Sequence, residues 1–93
     1  MELNRGDVVR SLAGRDKGRL FFVVECDETY AILADGRLRK LEKPKRKKRK
    51  HVQWVSRPGT PAAEALLSGG RVLNSELRRE LAILGQDSQN QGG

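Results

Sequence analysis

Cysteine, histidine and aromatic residues are scarce in this chain of 93 residues, which has one cysteine, one histidine, one tryptophan, one tyrosine and two phenylalanines. A single cysteine, Cys26, cannot form an internal disulfide, and neither it nor His51 has a cysteine or histidine neighbour at the spacing of metal ligands. The sequence also contains no paired-carboxylate motif and no nucleophile motif. We therefore expect no enzymatic activity, no metal ion and no cofactor.

Long apolar runs are absent as well. No segment approaches the roughly 20 apolar residues that a membrane-spanning helix requires, and residues 1–5 lack the basic and then apolar regions of a signal peptide. These absences predict a cytoplasmic protein without a membrane partner. A chain of this length forms one small domain, whose limited core would gain stability from a bound partner.

Acidic residues are rare in one part of the chain. Residues 37–51 contain ten Lys or Arg and a single acid, Glu42, so this segment carries +9 while the total charge is +7 and the remainder carries −2. Like charges at that density repel one another unless an anion neutralises them. The pattern favours a polyanionic partner, and a solvated disordered loop is the alternative.

The segment Gly6–Glu25 has the pattern of a β-hairpin. A short strand at Asp7–Ser11 and a longer one at Arg19–Glu25, rich in β-branched and aromatic residues, flank the connection Ala13–Gly18. Alternation places Leu20, Phe22 and Val24 on one face of the longer strand and Phe21 and Val23 on the other, so both faces are apolar, which suits a strand shared between the two sheets of a small barrel. Gly14 and Gly18 allow left-handed backbone conformations at both corners of this connection. We expect the two cations between these glycines, together with Arg19, to lie in solvent, where the loop can approach a phosphate backbone.

Several of these residues resemble a KOW motif, the RNA-contacting signature that some ribosomal proteins and transcription elongation factors carry on an SH3-like barrel. The resemblance covers residues 1–55, and Phe21 and Phe22 stand where many KOW motifs have a further glycine. The segment that continues into Lys43-Pro44-Lys45 is similar to bacterial relatives of archaeal and eukaryotic large-subunit ribosomal KOW proteins. The resemblance implies a mainly β fold, a small SH3-like (KOW) barrel of about five strands. It is carried by Gly6-Asp7, Val9, Ser11, Gly14-Arg15-Asp16-Lys17-Gly18 and Ala34-Asp35-Gly36-Arg37-Leu38-Arg39-Lys40.

The apolar pattern predicts three more strands. Tyr30–Ala34 is the third, and the Asp35-Gly36 pair that follows is a strong signal for a tight hairpin. This hairpin places a fourth strand, Arg37–Leu41, beside the third, with Arg37 and Arg39 facing solvent, where they would also block edge-to-edge aggregation. Six consecutive cations at Lys45–Lys50 predict an extended arm, because their repulsion opposes regular structure. The closing strand is His51–Val55.

The C-terminal part predicts two short helices. After a linker at Ser56–Thr60, Thr60 and Pro61 begin a helix at Ala62–Leu67. Asn74 or Ser75 caps a second helix, Glu76–Leu84, whose leucines form one stripe that docks on the barrel, docks on a partner, or leaves the helix fluctuating. We expect disorder over residues 86–93. The predicted division is a barrel at residues 1–56, with a basic arm at 43–50, and a linker, helices and tail at 57–93.

These patterns predict an RNA-binding protein that is a monomer when free and contacts phosphates, because few aromatic rings are present for base stacking. The resemblance implies ribosomal RNA of the large subunit. The alternatives are a protein-interaction module of the elongation-factor type, which would use the barrel face and the leucine stripe, and an anionic membrane surface, for which no apolar anchor is present. Trp54 either packs in the core or presents its ring to a nucleotide. The predicted RNA-binding residues are Arg15, Lys17, Gly18, Arg19, Arg37, Arg39, Lys40, Lys43, Lys45, Arg46, Lys47, Lys48, Arg49, Lys50 and Trp54.

Overall fold

The chain forms a small, mainly β domain with one five-stranded antiparallel sheet and two C-terminal helices. The structure is a computed structural model that describes residues 2–92, with side chains described for residues 2–85. A 3₁₀ turn at Arg49–His51 lies between the last two strands. The elements are β1 (Val8–Ser11), β2 (Leu20–Cys26), β3 (Tyr30–Ala34), β4 (Lys45–Lys48), β5 (Val52–Ser56), α1 (Pro61–Ser68) and α2 (Asn74–Gly92).

The sheet curls strongly. Its strand order is β4-β3-β2-β1-β5, so the two outer strands are consecutive in the chain and are joined by the 3₁₀ turn. The N–H of Arg49 donates to the carbonyl of Thr29, just before β3, and the N–H of Leu12, just after β1, donates to the carbonyl of His51, both at 2.8 Å. Three residues of 3₁₀ helix rise only about 6 Å, so the two outer strands must approach each other at this turn.

Apolar side chains cover both faces of the sheet. Phe21 and Val23 belong to a cluster inside the curl, whereas Phe22 belongs to a second cluster together with residues of both helices. Both phenylalanines are completely buried. The predicted alternation of β2 is therefore confirmed, and its outward face is buried by helices. The sequence prediction had instead expected this strand to be shared between two sheets.

The predicted start and end of α1 are confirmed. The hydroxyl of Thr60 accepts a bond from the Ala63 N–H, Pro61 occupies the first turn, and Gly69 ends the helix with a φ of 78°. Such an arrangement satisfies backbone groups that a helix leaves unpaired at both ends. The helix then buries Ala62, Ala63 and Leu66 against the sheet.

The second helix docks on the sheet through its leucine stripe. Leu77 and Leu81 are buried in the same cluster as Phe22, and Leu84 packs against that cluster. Three outcomes were predicted for this helix, and in the structure it docks on the sheet of its own chain. The leucine stripe is therefore not available to a partner. The helix runs to Gly92, whereas the sequence predicted an end near residue 84 and disorder beyond it.

The predicted fourth strand is wrong. Arg37–Leu41 forms turns, and the strand that pairs with β3 is Lys45–Lys48, in a register that joins Tyr30 to Lys48 and Leu33 to Lys45. The side chain of Asp35 accepts the N–H groups of both Arg37 and Arg39 at 2.9 Å, which closes a wider turn than the two-residue hairpin predicted. Lys45–Lys48 of the predicted arm are thus part of the sheet.

Within residues 2–92, no helix combines the length and the apolar character needed to cross a membrane.

Candidate nucleic-acid interface

The loop at residues 13–18 has the backbone conformation that its glycines predicted. Gly14 has a φ of 78° and Gly18 a φ of 87°, both in the left-handed region. The N–H of Lys17 donates to the carbonyl of Gly14 at 3.2 Å, and the N–H of Gly18 donates to the carbonyl of Ser11 at 2.8 Å. These bonds close the loop on itself, and the side chains of Arg15 and Lys17 are exposed.

Three cations hold this loop from three different elements. Arg10 of β1 donates to the carbonyl of Gly18 at 2.9 Å, and Lys47 of β4 donates through Nζ to the carbonyl of Ala13 at 2.7 Å. Arg39, from the turn after β3, forms an ion pair with Asp16 at 3.1 Å. The loop, the turn and β4 are therefore joined into one surface.

The sequence prediction missed the role of Asp16 in joining loop 13–18 to the turn after β3. Its side chain is 6% exposed, and it pairs with Arg39, whose side chain is one-third exposed. Arg39 was predicted to contact RNA, but here its guanidinium is used to hold the turn against loop 13–18. The feature of the sequence that could have indicated this role is an acid between two cations, Arg15 and Lys17, in the loop.

The four cations of β4 alternate between the two sides of the strand. Lys45 and Lys47 are half-buried, whereas Arg46 and Lys48 are exposed. The guanidinium of Arg46 lies over the ring of Tyr30, 4.3 Å from its centroid, in a cation–π contact. Because side chains on one face of a strand are about 6.6 Å apart, pairing with β3 spreads these charges and lowers their repulsion.

The basic segment continues past β4 into the 3₁₀ turn. Arg49 donates to the carbonyl of Asp27 at 3.0 Å, so its guanidinium is held against the turn between β2 and β3. Lys48 and Lys50 line a shallow groove of about 320 Å³ beside Glu28 and Thr29. In that β2–β3 turn, two backbone N–H groups, of Tyr30 and Thr29, lower the pKa of Asp27 from its ordinary value.

Lys40 and Lys43 lie on a segment that is tied to the start of α2. The Asn74 side chain accepts the N–H of Leu41 at 2.8 Å and donates to the carboxylate of Glu42 at 2.6 Å. Asn74 was predicted as a helix cap, and in the structure its side chain bonds this segment instead. Both lysines are exposed.

Trp54 lies in β5, where it pairs with Val9 of β1. The residue is 38% exposed, and its Nε1 donates to the Asp7 carboxylate, just before β1, at 3.3 Å. The same carboxylate accepts two bonds from Arg57, at 2.8 and 3.0 Å. The tryptophan therefore bonds the buried carboxylate of an ion pair whose arginine is half-exposed, and it belongs to neither of the two core clusters.

Asp7 and Arg57 were not among the predicted site residues. Burial by itself raises the pKa of Asp7, but the hydrogen bonds and the charge of Arg57, with the bonds from the Asn4 N–H and from Trp54, lower it below its ordinary value. The same bond to Asp7 raises the pKa of Arg57. Both groups are charged at neutral pH, and they join the start of β1 to the segment after β5.

The cations of this surface are mostly left unneutralised by the protein itself. Leaving Arg49 aside, Arg39 is the single member of the predicted cation set that forms an ion pair within the described residues. Within that part of the chain, no group of three or more His, Cys, Asp and Glu side chains could hold a metal ion. Burial raises the pKa of the Cys26 thiol, which donates to the Leu3 carbonyl at 3.3 Å. We call the surface formed by loop 13–18, the turn at 35–39 and β4 the basic face.

Comparison with models of known protein families gives no match, and comparison with curated proteins gives no significant one.

Proposed function

We propose that this protein binds RNA by contacting phosphates through the basic face. One observation carries the proposal: three bonds from other parts of the chain hold loop 13–18 in place, while the side chains of Arg15 and Lys17 are exposed. Because the loop backbone that carries these two cations is already held in place, little backbone freedom is lost on binding, so more of the electrostatic attraction remains as affinity. Phosphates are the ligands that such an arrangement of lysine and arginine suits best.

The distribution of charge supports a polyanion over a single small anion. Exposed cations extend from loop 13–18 across β4 to Lys50, and within the described residues few of them are paired with acids. Neighbouring like charges repel one another, and a chain of phosphates would relieve that repulsion along the whole face. A recognition helix for the DNA major groove is not part of this surface, which favours RNA over DNA.

We also propose that the curled sheet is an SH3-like barrel of the KOW type. The 3₁₀ turn that joins the two outer strands supports closure, and loop 13–18 between β1 and β2 holds the motif residues that resemble KOW proteins. On this proposal the RNA is ribosomal RNA of the large subunit. Co-migration of the protein with large subunits on a sucrose gradient at low salt, and its release at high salt, is the expected outcome.

The protein-interaction alternative relied on two surfaces, and one of them, the leucine stripe, is occupied. The stripe formed by Leu77, Leu81 and Leu84 packs on the sheet, so it offers no apolar surface to a partner. Arg15 and Lys17 of the basic face, in contrast, are exposed and form no ion pair within the described residues.

The salt dependence of RNA binding tests the proposal. If about 4 to 6 phosphates are contacted, the logarithm of the binding constant should fall with the logarithm of the salt concentration at a slope of about −3 to −4. The double substitution Arg15→Gln, Lys17→Gln should make that slope shallower by about 1 to 2, because each lost phosphate contact removes about one unit. Fluorescence anisotropy with a labelled structured RNA measures both quantities.

Arg71→Gln with Arg79→Gln is the matched control. These two arginines are exposed, lie outside the basic face, and change the net charge by the same amount. We expect the control to retain nearly the full slope. An equal loss in both double variants would show that net charge alone is responsible, and no affinity at low salt would end the proposal.

A further inference from the structure

We infer that a groove between α2 and the turn at 35–39 of the basic face is a nucleotide subsite, which binds one phosphate of an RNA and the base attached to it. This inference rests on the proposed function and adds a second place of contact to it. The groove has a volume of about 590 Å³ and is lined by three arginines from three different elements, Arg19, Arg37 and Arg78. Pockets that bind small organic ligands have volumes of about 300–1,000 Å³.

Secondary structure brings these arginines together from distant positions. Arg19 directly precedes β2, Arg37 lies in the turn after β3, and Arg78 lies in α2. Arg78 donates through Nη1 to the carbonyl of Gly36 at 2.7 Å, which joins the helix to the turn. Gly36 has a φ of 77°, and a Cβ atom there would collide with the carbonyl oxygen of Asn74. The groove therefore depends on this glycine, which lets α2 approach the turn.

The charges around the groove favour an anion. Each of the three arginines is exposed, and none forms an ion pair within the described residues. One acid, Asp35, also lines the groove, but its carboxylate is nearly buried and its Oδ1 already accepts the N–H groups of Arg37 and Arg39. A phosphate among guanidinium groups gains charge-assisted bonds, which are stronger than bonds between neutral groups.

The remaining wall of the groove is apolar, which suits the flat face of a nucleotide base. Leu20 and Leu81 are part of the packing between the sheet and the helices, and Ala82 is exposed next to them on α2. A flat ring can lie on these side chains while its phosphate meets the arginines. This combination of an apolar wall and convergent cations distinguishes the groove from loop 13–18, where the exposed side chains are those of cations.

Ala82→Glu tests the subsite without disturbing the bonds that build it. Because Ala82 is exposed in a helix, either Glu or Gln is tolerated there, and the two differ only in charge. Adenosine 5′-monophosphate, titrated into wild-type protein and followed by amide NMR, should shift the signals of Leu20, Arg37 and Ala82. Ala82→Glu should weaken that binding by about tenfold or more, equivalent to the loss of one charge-assisted contact, while Ala82→Gln retains it.

Two further comparisons make the result decisive. Adenosine and inorganic phosphate should each bind more weakly than the nucleotide, because each fills half of the subsite. Arg78→Ala should weaken nucleotide binding, and Arg79→Ala, one residue away and outside the groove, should not. Shifts that map to loop 13–18 instead, or an equal affinity of the Glu and Gln variants, would overturn the inference.

RNA oligonucleotides with and without a 5′-phosphate identify the source of the bound phosphate. If Ala82→Glu weakens the binding of both oligonucleotides equally, the subsite binds an internal phosphate. If it weakens only the binding of the 5′-phosphorylated oligonucleotide, the subsite binds the phosphate at the chain end. Either result supports the subsite. If Ala82→Glu leaves RNA binding unchanged while Arg15→Gln, Lys17→Gln weakens it, the subsite is wrong and the proposed function stands. If wild-type protein does not bind RNA, both fail.

Discussion

Two buried carboxylates organise a protein whose net charge is strongly positive. Asp7 is completely buried and accepts bonds from Arg57, Trp54 and the Asn4 backbone. Asp16 is nearly buried and holds Arg39. A buried carboxylate is costly unless it is paired and hydrogen-bonded, and each of these has a guanidinium partner. Each acid therefore fixes an arginine that would otherwise be one more mobile cation.

The lowered pKa of Asp7 makes its contribution to stability depend on pH. The unfolded carboxyl titrates near pH 3.9, and the folded one titrates at lower pH, so its stabilisation is present above about pH 4 and is lost as the pH falls through the folded pKa. We expect Asp7→Asn to lower the free energy of unfolding at pH 7 by about 1–3 kcal/mol, the cost of a lost bond to a charged group. Urea unfolding at several pH values measures this difference.

The difference between wild type and Asp7→Asn should shrink as the pH falls below about 4, because the wild-type carboxyl becomes neutral as well. Asp27→Asn is the useful comparison, since its carboxylate is held by backbone N–H groups in an exposed turn, whereas the Asp7 carboxylate is buried and paired with an arginine. A difference for Asp7→Asn that stays constant from pH 7 to pH 3 would contradict the assigned role.

At the scale of elements, the apolar face of α2 determines where this helix packs. Leu77 is completely buried against the sheet, whereas Ile83, on the same helix, is 53% exposed. The sequence predicted the stripe from its spacing but left three possible destinations for it. The decisive fact is the outward apolar face of β2, which contains Phe22 and is covered by α1 and α2 together.

Leu77→Ala should destabilise the protein by about 2–5 kcal/mol, because truncating a buried leucine loses apolar contact and leaves a cavity. Ile83→Ala is the matched control, and its effect should stay within about 0.5 kcal/mol because the side chain is largely in solvent. Urea denaturation of both variants measures the difference. Similar small effects from both substitutions would mean that α2 is not docked in solution.

The prediction of an irregular arm failed at β4, which is a strand of the sheet. Six consecutive cations predicted an irregular arm because their repulsion opposes regular structure in an isolated segment. In the sheet, backbone bonds to β3 and the stacking of Arg46 on Tyr30 offset that repulsion, and alternate side chains point to opposite sides. Charge repulsion is a local property, whereas strand pairing depends on a partner elsewhere in the chain.

At the scale of the whole molecule, the helices and the sheet share one apolar cluster. Val8 and Phe22 of the sheet are buried together with Ala63 of α1 and Leu77 of α2. The glycine at position 6 allows the close approach of α1, since a Cβ atom there would lie 2.5 Å from the carbonyl oxygen of Ala63. A division after residue 56 therefore cuts through a core cluster.

A fragment of residues 1–56 should consequently fail to fold cooperatively, although it contains all five strands. Removing both helices exposes the outward face of β2, and a small sheet without that cover lacks sufficient buried apolar area. A fragment of residues 1–85 keeps the whole leucine stripe and should unfold cooperatively with a stability near that of the full chain. Thermal unfolding followed by circular dichroism compares them, and a stable, cooperatively folded 1–56 fragment would contradict this conclusion.

The sequence by itself determined the features that depend on neighbours in the chain. Gly14 and Gly18 predicted the left-handed corners of the loop, Thr60 and Pro61 predicted the start of α1, and alternation predicted which side chains of β2 face each way. Each rests on the backbone preferences of a few adjacent residues, so a short window of sequence contains the necessary information.

Only the tertiary structure decided the long-range relations: which strand pairs with β3, what covers Phe22, and which cations remain exposed. Arg39 and Lys47 looked equivalent to their neighbours in the sequence, yet one is held by Asp16 and the other by the Ala13 carbonyl, 23 and 34 residues away. The arginines of the groove likewise come from three separate elements. Such contacts form because the sheet curls and the helices must cover its outer face, and neither event can be read from adjacent residues.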